Sequence, residues 1–203
     1  MNPTRRIQKE IADIDKDKES KLTVTSIDGN IRHLIGTFPG PEGSPYQGGL
    51  FKVDIEVAEG YPFQPLKMRF ITKVYHPNVS SVSGAICLDI LTPKAWTPVL
   101  TLRSTLVSLR SLLCSPEPDD PQDAEVAAHY RADKEGFEST ARFWTECYAK
   151  DDEKSVDQQK LDTVSRAGLR REDVEKFAAM VRDVCKWYVG RLLMYFRGFH
   201  KRK

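Results

Sequence analysis

The residue best suited to covalent chemistry in this chain is Cys87, set in the stretch Tyr75-His76-Pro77-Asn78-Val79-Ser80-Ser81-Val82-Ser83-Gly84-Ala85-Ile86-Cys87-Leu88-Asp89-Ile90-Leu91. A thiol is the side-chain nucleophile that needs least activation near neutral pH. Its neighbours leave two readings open. Flanked by Ile86 and Leu88, it suits a small buried hydrophobe. Placed in a turn-rich segment beside the amide of Asn78, it also suits a reactive group carried on a loop. No Cys-His or Ser-His-Asp arrangement accompanies it. His76 belongs to a turn motif, and His33, His129 and His200 have no motif around them.

The surrounding motifs resemble the catalytic core of the ubiquitin-conjugating enzymes. His76-Pro77-Asn78 matches the family's tripeptide, and Gly84-Ala85-Ile86-Cys87-Leu88-Asp89-Ile90-Leu91 matches the segment that carries its thioester cysteine. The resemblance runs from about Thr4 to Ala149 and takes in Ser44 to Gly49, Tyr61-Pro62-Phe63 and Pro116 to Pro121. Ser80 to Gly84 and Glu117 to Asp123 look most like the subgroup with a C-terminal ubiquitin-associated (UBA) domain. The resemblance implies that Cys87 accepts ubiquitin from an activating enzyme, which has already consumed ATP, and that a lysine amine then takes it. It implies no bound cofactor and no metal. It implies ubiquitin ligases and protein substrates as further partners, and polyubiquitin chains as a product. Two residues join Cys87 as implied catalytic groups. Asn78 either donates to the oxyanion formed during lysine attack or holds its loop by local hydrogen bonds. Asp120 either orients the incoming lysine or simply closes a proline-bounded turn.

Composition bounds the rest. The chain has 203 residues, suited to one ordinary domain and a small extra one. A net charge of +2 argues against wholesale nucleic-acid binding. The four cysteines, Cys87, Cys114, Cys147 and Cys185, form no C-x-x-C pair, which disfavours zinc and a disulfide framework. No run approaches the roughly 18 apolar residues of a membrane span, and the polar start, Met1 to Glu10, lacks a signal-peptide core. The expected setting is the cytoplasm, the nucleus or both, where thiols stay reduced.

The elements that must position the cysteine follow from periodicity. Asn2-Pro3 starts a helix, and Ile7, Ile11 and Ile14 repeat at helical spacing to about Lys18. Arg5, Arg6 and Lys9 fall on its outer face. That face is either simply solvated or, by the resemblance, the place where activating enzyme and ligases dock. Strand-like segments follow at 22–27 and 31–38, flanking the turn signal Asp28-Gly29-Asn30, then at 50–57 and 67–71. Short turns between them predict an antiparallel meander. Phe63 reads either as a core aromatic or as an exposed ligase anchor, with Pro98 and Val99 beside it by the resemblance. Two departures from the family bear on that surface: Leu66 replaces a usual proline, and Thr92 to Ala95 form a longer insert. Thr101 caps a helix lined by Leu102, Leu106, Leu109 and Leu113, the prolines of 115–121 forbid helix there, and helical patterns return at 122–132 and 134–150. The second of these places Phe137, Ala141, Trp144 and Tyr148 inside. Fold class is thus α+β, and the resemblance implies that residues 1–150 form a conjugating-enzyme core.

Residues 151–159 are almost wholly polar and read as a linker. Residues 160–203 carry three short helical patterns that resemble a UBA domain, a three-helix module that holds an apolar patch of ubiquitin. The usual Met-Gly-Phe loop is Ala167-Gly168-Leu169 here. Gly168 and Leu169 would sit at the ubiquitin contact with fewer large anchors, which implies a weakened or altered grip. The basic, aromatic end from Lys186 to Lys203 reads as a solvated helix end or as a surface for an anionic membrane or nucleic acid. Three functions remain distinct: a ubiquitin-carrier transferase, a non-enzymatic ubiquitin-binding scaffold, and a carrier of another ubiquitin-like modifier. Cys87 counts against the second and the subgroup motifs against the third.

Overall fold

The computed structural model describes residues 3–150; the linker, the UBA-like segment and Asn2 lie outside the described residues. The described chain runs α1 (Pro3–Lys16), β1 (Thr23–Ile27), β2 (Asn30–Pro39), β3 (Leu50–Glu56), β4 (Lys67–Phe70), a 3₁₀ turn (Asp89–Leu91), α2 (Leu102–Leu112), α3 (Ala124–Ala132) and α4 (Lys134–Tyr148). The four strands form one antiparallel sheet in sequence order, the expected meander. The β1–β2 turn takes positive φ at both Asp28 (50°) and Gly29 (73°), the requirement of a type I′ turn whose twist suits a two-residue hairpin.

Alternation along β3 puts Phe51, Val53, Ile55 and, just beyond the strand, Val57 in the core. Helix α2 lies against that face with Leu102, Leu106 and Leu109 fully buried. The approach is close at Gly36 of β2: an added Cβ would lie 2.8 Å from Leu106 and 2.9 Å from Ile55. Thr101 caps α2 as expected, in a reciprocal capping box with Ser104. Ile7 and Ile14 of α1 are buried and Ile11 only partly so. Each full burial of such a side chain contributes about 1.5–3 kcal/mol.

The C-terminal helices cover the far side of the cysteine segment. Tyr75 packs between Trp144 (5.3 Å) and Phe137 (5.7 Å) and shares a hydrogen bond with His129 Nδ1 at 2.9 Å. Phe137, Ala141 and Trp144 are buried, while Tyr148, expected inside with them, is only half-buried against the Trp144 edge. Helix α4 ends at Tyr148, and the buried Ala149 just beyond it accepts the Leu50 N–H at the start of β3.

Two charged residues are buried against expectation. Asp54 points to the outer sheet face yet is 6% exposed, because His33 (2.7 Å) and Arg69 (2.8 Å) close over it from the neighbouring strands. Burial opposes its charge, but those two partners outweigh it and hold its carboxyl below the ordinary range. Glu10 is the other, and it organises a surface described below.

Candidate active site

The segment around Cys87 is a small ladder of its own. His76 and Val79 bridge, Val79 pairs antiparallel with Ile86, and the Cys87 N–H donates to the Asn78 carbonyl at 2.9 Å. Between them Ser80 to Gly84 form a tight loop that reaches back to β4, where Phe70 N–H donates to Gly84 O at 2.8 Å. Gly84 cannot be exchanged: its φ is +73° and a Cβ would sit 2.0 Å from the Phe70 carbonyl oxygen. This loop delivers Cys87 to the rim of a groove of about 500 Å³. Leu88 and Ile90 line one wall, Ser108, Ser111 and Leu112 of α2 the other, and Glu117 and Asp120 close one end. Cys87 is half-buried, neither a sealed core residue nor a freely solvated thiol.

Asp120 stands directly against the sulfur. The thiol donates to its Oδ2 at 3.3 Å. Desolvation first, then this carboxylate and the nearby charge of Asp89, push the Cys87 thiol above its ordinary value. At neutral pH Cys87 is therefore held chiefly as thiol.

Asn78 is 1% exposed and its whole amide is engaged. Nδ2 donates to the carbonyls of Glu117 and Asp120, both at 2.9 Å, and Oδ1 accepts from the Glu117 N–H at 2.8 Å. In this state both of its N–H groups hold the Asp120 loop, leaving none aimed at the sulfur. The loop has other holds. Arg131 donates to the Pro118 carbonyl and, at 2.8 Å, to Asp119 Oδ1, while the N–H groups of Gln122 and Asp123 both reach the Pro77 carbonyl at 2.9 Å. His76 is fully buried. Its Nδ1 accepts the Asn78 N–H at 3.1 Å, and desolvation lowers its pKa to about 4, with the Leu112 backbone opposing weakly. It is a neutral structural histidine, in keeping with its place in the turn motif.

The expected partner surface forms a second cluster. Phe63 is 81% and Val99 85% exposed, and Pro98, Arg5 and Lys9 are exposed as well. Arg6 departs from the expectation of an outward cation. Its Nε donates to Glu10 Oε1 at 2.8 Å and its terminal nitrogen to the carbonyls of Pro98 (2.6 Å) and Leu100 (3.2 Å). The reason is Glu10, whose other oxygen accepts from Tyr61 Oη at 2.7 Å and the Leu102 N–H at 2.9 Å. Trp96 Nε1 completes the tie by donating to the Pro62 carbonyl at 2.7 Å. Helix α1, the Phe63 turn and the Pro98–Val99 turn are thus held on one face, with Leu66 buried beneath rather than displayed.

Glu10 escaped the sequence reading, although its spacing from Ile7 and Ile14 places it on their stripe. Asp123 and Arg131 escaped it too. An Asp before the apolar residues of α3 is a cap signal, but nothing local announces where Arg131 reaches. Gly168 and Leu169 lie outside the described residues.

The model for the family described as ubiquitin-conjugating enzyme matches residues 6–145, more than half the chain, with Cys87, Asn78 and Asp120 inside the match. The chain belongs to that family. The enzyme is 57% identical over 148 residues to ubiquitin-conjugating enzyme E2 1 of Schizosaccharomyces pombe, covering 73% of this chain and 68% of that one. It is 47% identical to the human ubiquitin-conjugating enzyme E2 K, covering 71% and 74%. A solved Toxoplasma gondii ubiquitin-conjugating enzyme E2 domain superposes with a TM-score of 0.68 at 45% identity, covering 72% of this enzyme and 98% of that domain. Among the described residues no helix is long and apolar enough to cross a membrane, and no cluster of three or more His, Cys, Asp or Glu could hold a metal ion.

Proposed function

We propose that Cys87 carries ubiquitin as a thioester and surrenders it to lysine amines of substrates or of ubiquitin itself. The contact between the Cys87 sulfur and Asp120 at the end of an open groove is the observation that carries this reading. In the first step the Cys87 thiolate attacks the thioester carbon presented by the activating enzyme; a new S–C bond forms as the old one breaks, and the donor's thiolate leaves. The groove between Leu88–Ile90 and α2 fits an extended, small-residue tail leading to that carbon. In the second step a neutral lysine amine attacks, the N–C bond forms, Cys87 departs as thiolate, and the amine's surplus proton passes to solvent.

The surroundings favour waiting over leaking. The same desolvation and acidic neighbours that raise the thiol make the expelled thiolate costly, and a thiol of higher pKa leaves more slowly. Neutral His76 is turned away into the core, so it cannot serve as a base for water. Asp120 orients the ε-ammonium end of an approaching lysine. It does not itself lower that amine's pKa, because a lone carboxylate favours the charged form. Asn78 holds Asp120 in place before attack; donation to the oxyanion would require one of its two N–H groups to change partner during the reaction.

Arg5 and Lys9 form the face for activating enzyme and ligases, with Arg6 shaping it from beneath, and Phe63, Pro98 and Val99 form the ligase surface beside it. Residues 160–203 hold ubiquitin through Gly168 and Leu169 with a weakened or altered grip compared with an ordinary UBA domain. Incubation with activating enzyme, ATP and ubiquitin, followed by a non-reducing gel, tests the core of this reading. A thiol-sensitive adduct present in the native chain and lost in Cys87→Ala is expected. Absence of the adduct in the native chain refutes it. Phe63→Ala is expected to load normally and to lose ligase-stimulated discharge.

A further inference from the structure

Asp123 ties together three pieces of chain that meet at the active site. Its Oδ2 accepts from both Oγ (2.7 Å) and N–H (3.2 Å) of Ser81, in the loop that leads into Cys87. Its Oδ1 caps α3 through the Val126 N–H at 3.3 Å. Its own N–H reaches the carbonyl of Pro77 at 2.9 Å. One half-buried carboxylate therefore joins the loop before the nucleophile to the helix after the acceptor loop.

The consequence lies three residues upstream. Asp120 hangs between two anchors: the Asn78 amide at Glu117 and the Asp120 carbonyl, and Asp123 on the other side of Pro121, whose ring restricts the intervening backbone. Ser81 is in turn geared to Cys87, because Ser80 pairs with Ala85 and Val79 with Ile86. The Ser81–Asp123 contact thus sets the separation between the two strands of chain that present the sulfur and the Asp120 carboxylate, 3.3 Å apart. Neither Ser81 nor Asp123 hydrogen-bonds to the sulfur, whose side-chain partner is Asp120.

We propose that Asp123, clasped by Ser81, is a positioning residue for lysine acceptance, acting through Asp120. This rests on the reading of Asp120 as the group that orients the lysine. Loading of Cys87 needs no lysine and should not depend on the clasp.

The test uses the full chain charged with ubiquitin and chased with either free lysine or hydroxylamine. Hydroxylamine is small and uncharged at neutral pH, so it needs no carboxylate to orient it. Asp123→Ala is expected to slow lysine discharge about fivefold to tenfold, on the scale of a sub-ångström misplacement, and to leave hydroxylamine discharge within about twofold. Ser81→Ala, which leaves the α3 cap untouched, should show the same selectivity to a smaller degree and carries the test if Asp123→Ala folds poorly. Asp123→Asn keeps one acceptor oxygen, enough for the Ser81 clasp or the α3 cap but not both, and should recover part of the lysine rate. Adding Asp123→Ala to Asp120→Asn should slow lysine no further. Equal slowing of both nucleophiles overturns the proposal in favour of general damage. Normal lysine discharge in both Asp123→Ala and Ser81→Ala, beside a slow Asp120→Asn, overturns the role of Asp123 alone. Normal discharge in Asp120→Asn overturns the reading of Asp120 beneath it.

Discussion

Replacing Asn78 by Ala separates the two roles that its residue type allows. The side chain makes three buried hydrogen bonds, two as donor and one as acceptor, all to the backbone of Glu117 and Asp120. At roughly 1 kcal/mol each, their loss costs about 3 kcal/mol of stability, less whatever the loop regains by turning those groups to water. The lost bonds also free Asp120 from its inner anchor. A purely scaffolding Asn78 therefore predicts a stability loss of that size, normal loading of Cys87, and slow lysine discharge that largely disappears as an additional effect once Asp120→Asn is already present. A direct donor to the oxyanion predicts something else: a discharge defect of about 10²–10³-fold that persists in the Asp120→Asn background. Urea unfolding of the free chain gives the first quantity, and single-turnover discharge of the four variants in the Asn78/Asp120 cycle gives the second. A stability loss below about 0.5 kcal/mol, within the range of an ordinary surface substitution, would refute the scaffolding argument, whatever the discharge rate.

Other outcomes follow from the same geometry. Cys87 alkylation by iodoacetamide should rise with pH to a midpoint above that of an ordinary thiol, and Asp120→Asn should move that midpoint down, since it removes a neighbouring charge that raises the thiol; an unchanged midpoint would contradict the electrostatic coupling. His76 stays neutral in the fold to about pH 4, whereas the unfolded side chain takes up a proton near pH 6.5, so stability should fall as pH drops through that window by up to about 3 kcal/mol. His129, also lowered by burial, acts in the same direction, and the lowered carboxyls of Asp17 and Asp54 act only at more acid pH. His76→Asn, which keeps an acceptor near the Asn78 N–H, should flatten the stability profile between those pH values in urea titrations. Glu10→Ala should cost about 3 kcal/mol, because it strands the Tyr61 hydroxyl and the Leu102 N–H and leaves the Arg6 guanidinium with only the Pro98 and Leu100 carbonyls; thermal unfolding checks it.

Local sequence was enough for the elements and for singling out Cys87. The I′ turn at Asp28-Gly29, the alternation of Phe51, Val53, Ile55 and Val57, the leucine stripe of α2 and the Thr101 cap each depend on neighbours within a few positions, so the chain's own periodicity states them. The family resemblance carried Cys87, Asn78 and Asp120 as a set, and Phe63 and Val99 as exposed apolar side chains. What the sequence could not state was which polar groups would be satisfied by partners distant in the chain. Asn78 meets Glu117 and Asp120 some forty positions on, Arg6 meets Pro98, Asp54 is covered from both neighbouring strands, and Asp123 closes on Ser81. Hydrogen-bond satisfaction is a property of the assembled interior, and a buried donor has no local signature of the acceptor that will meet it. Residue order thus determined what each segment is. Only the packed chain decided that the carboxylate of Asp120 would rest against the sulfur of Cys87, and which side chains hold it there.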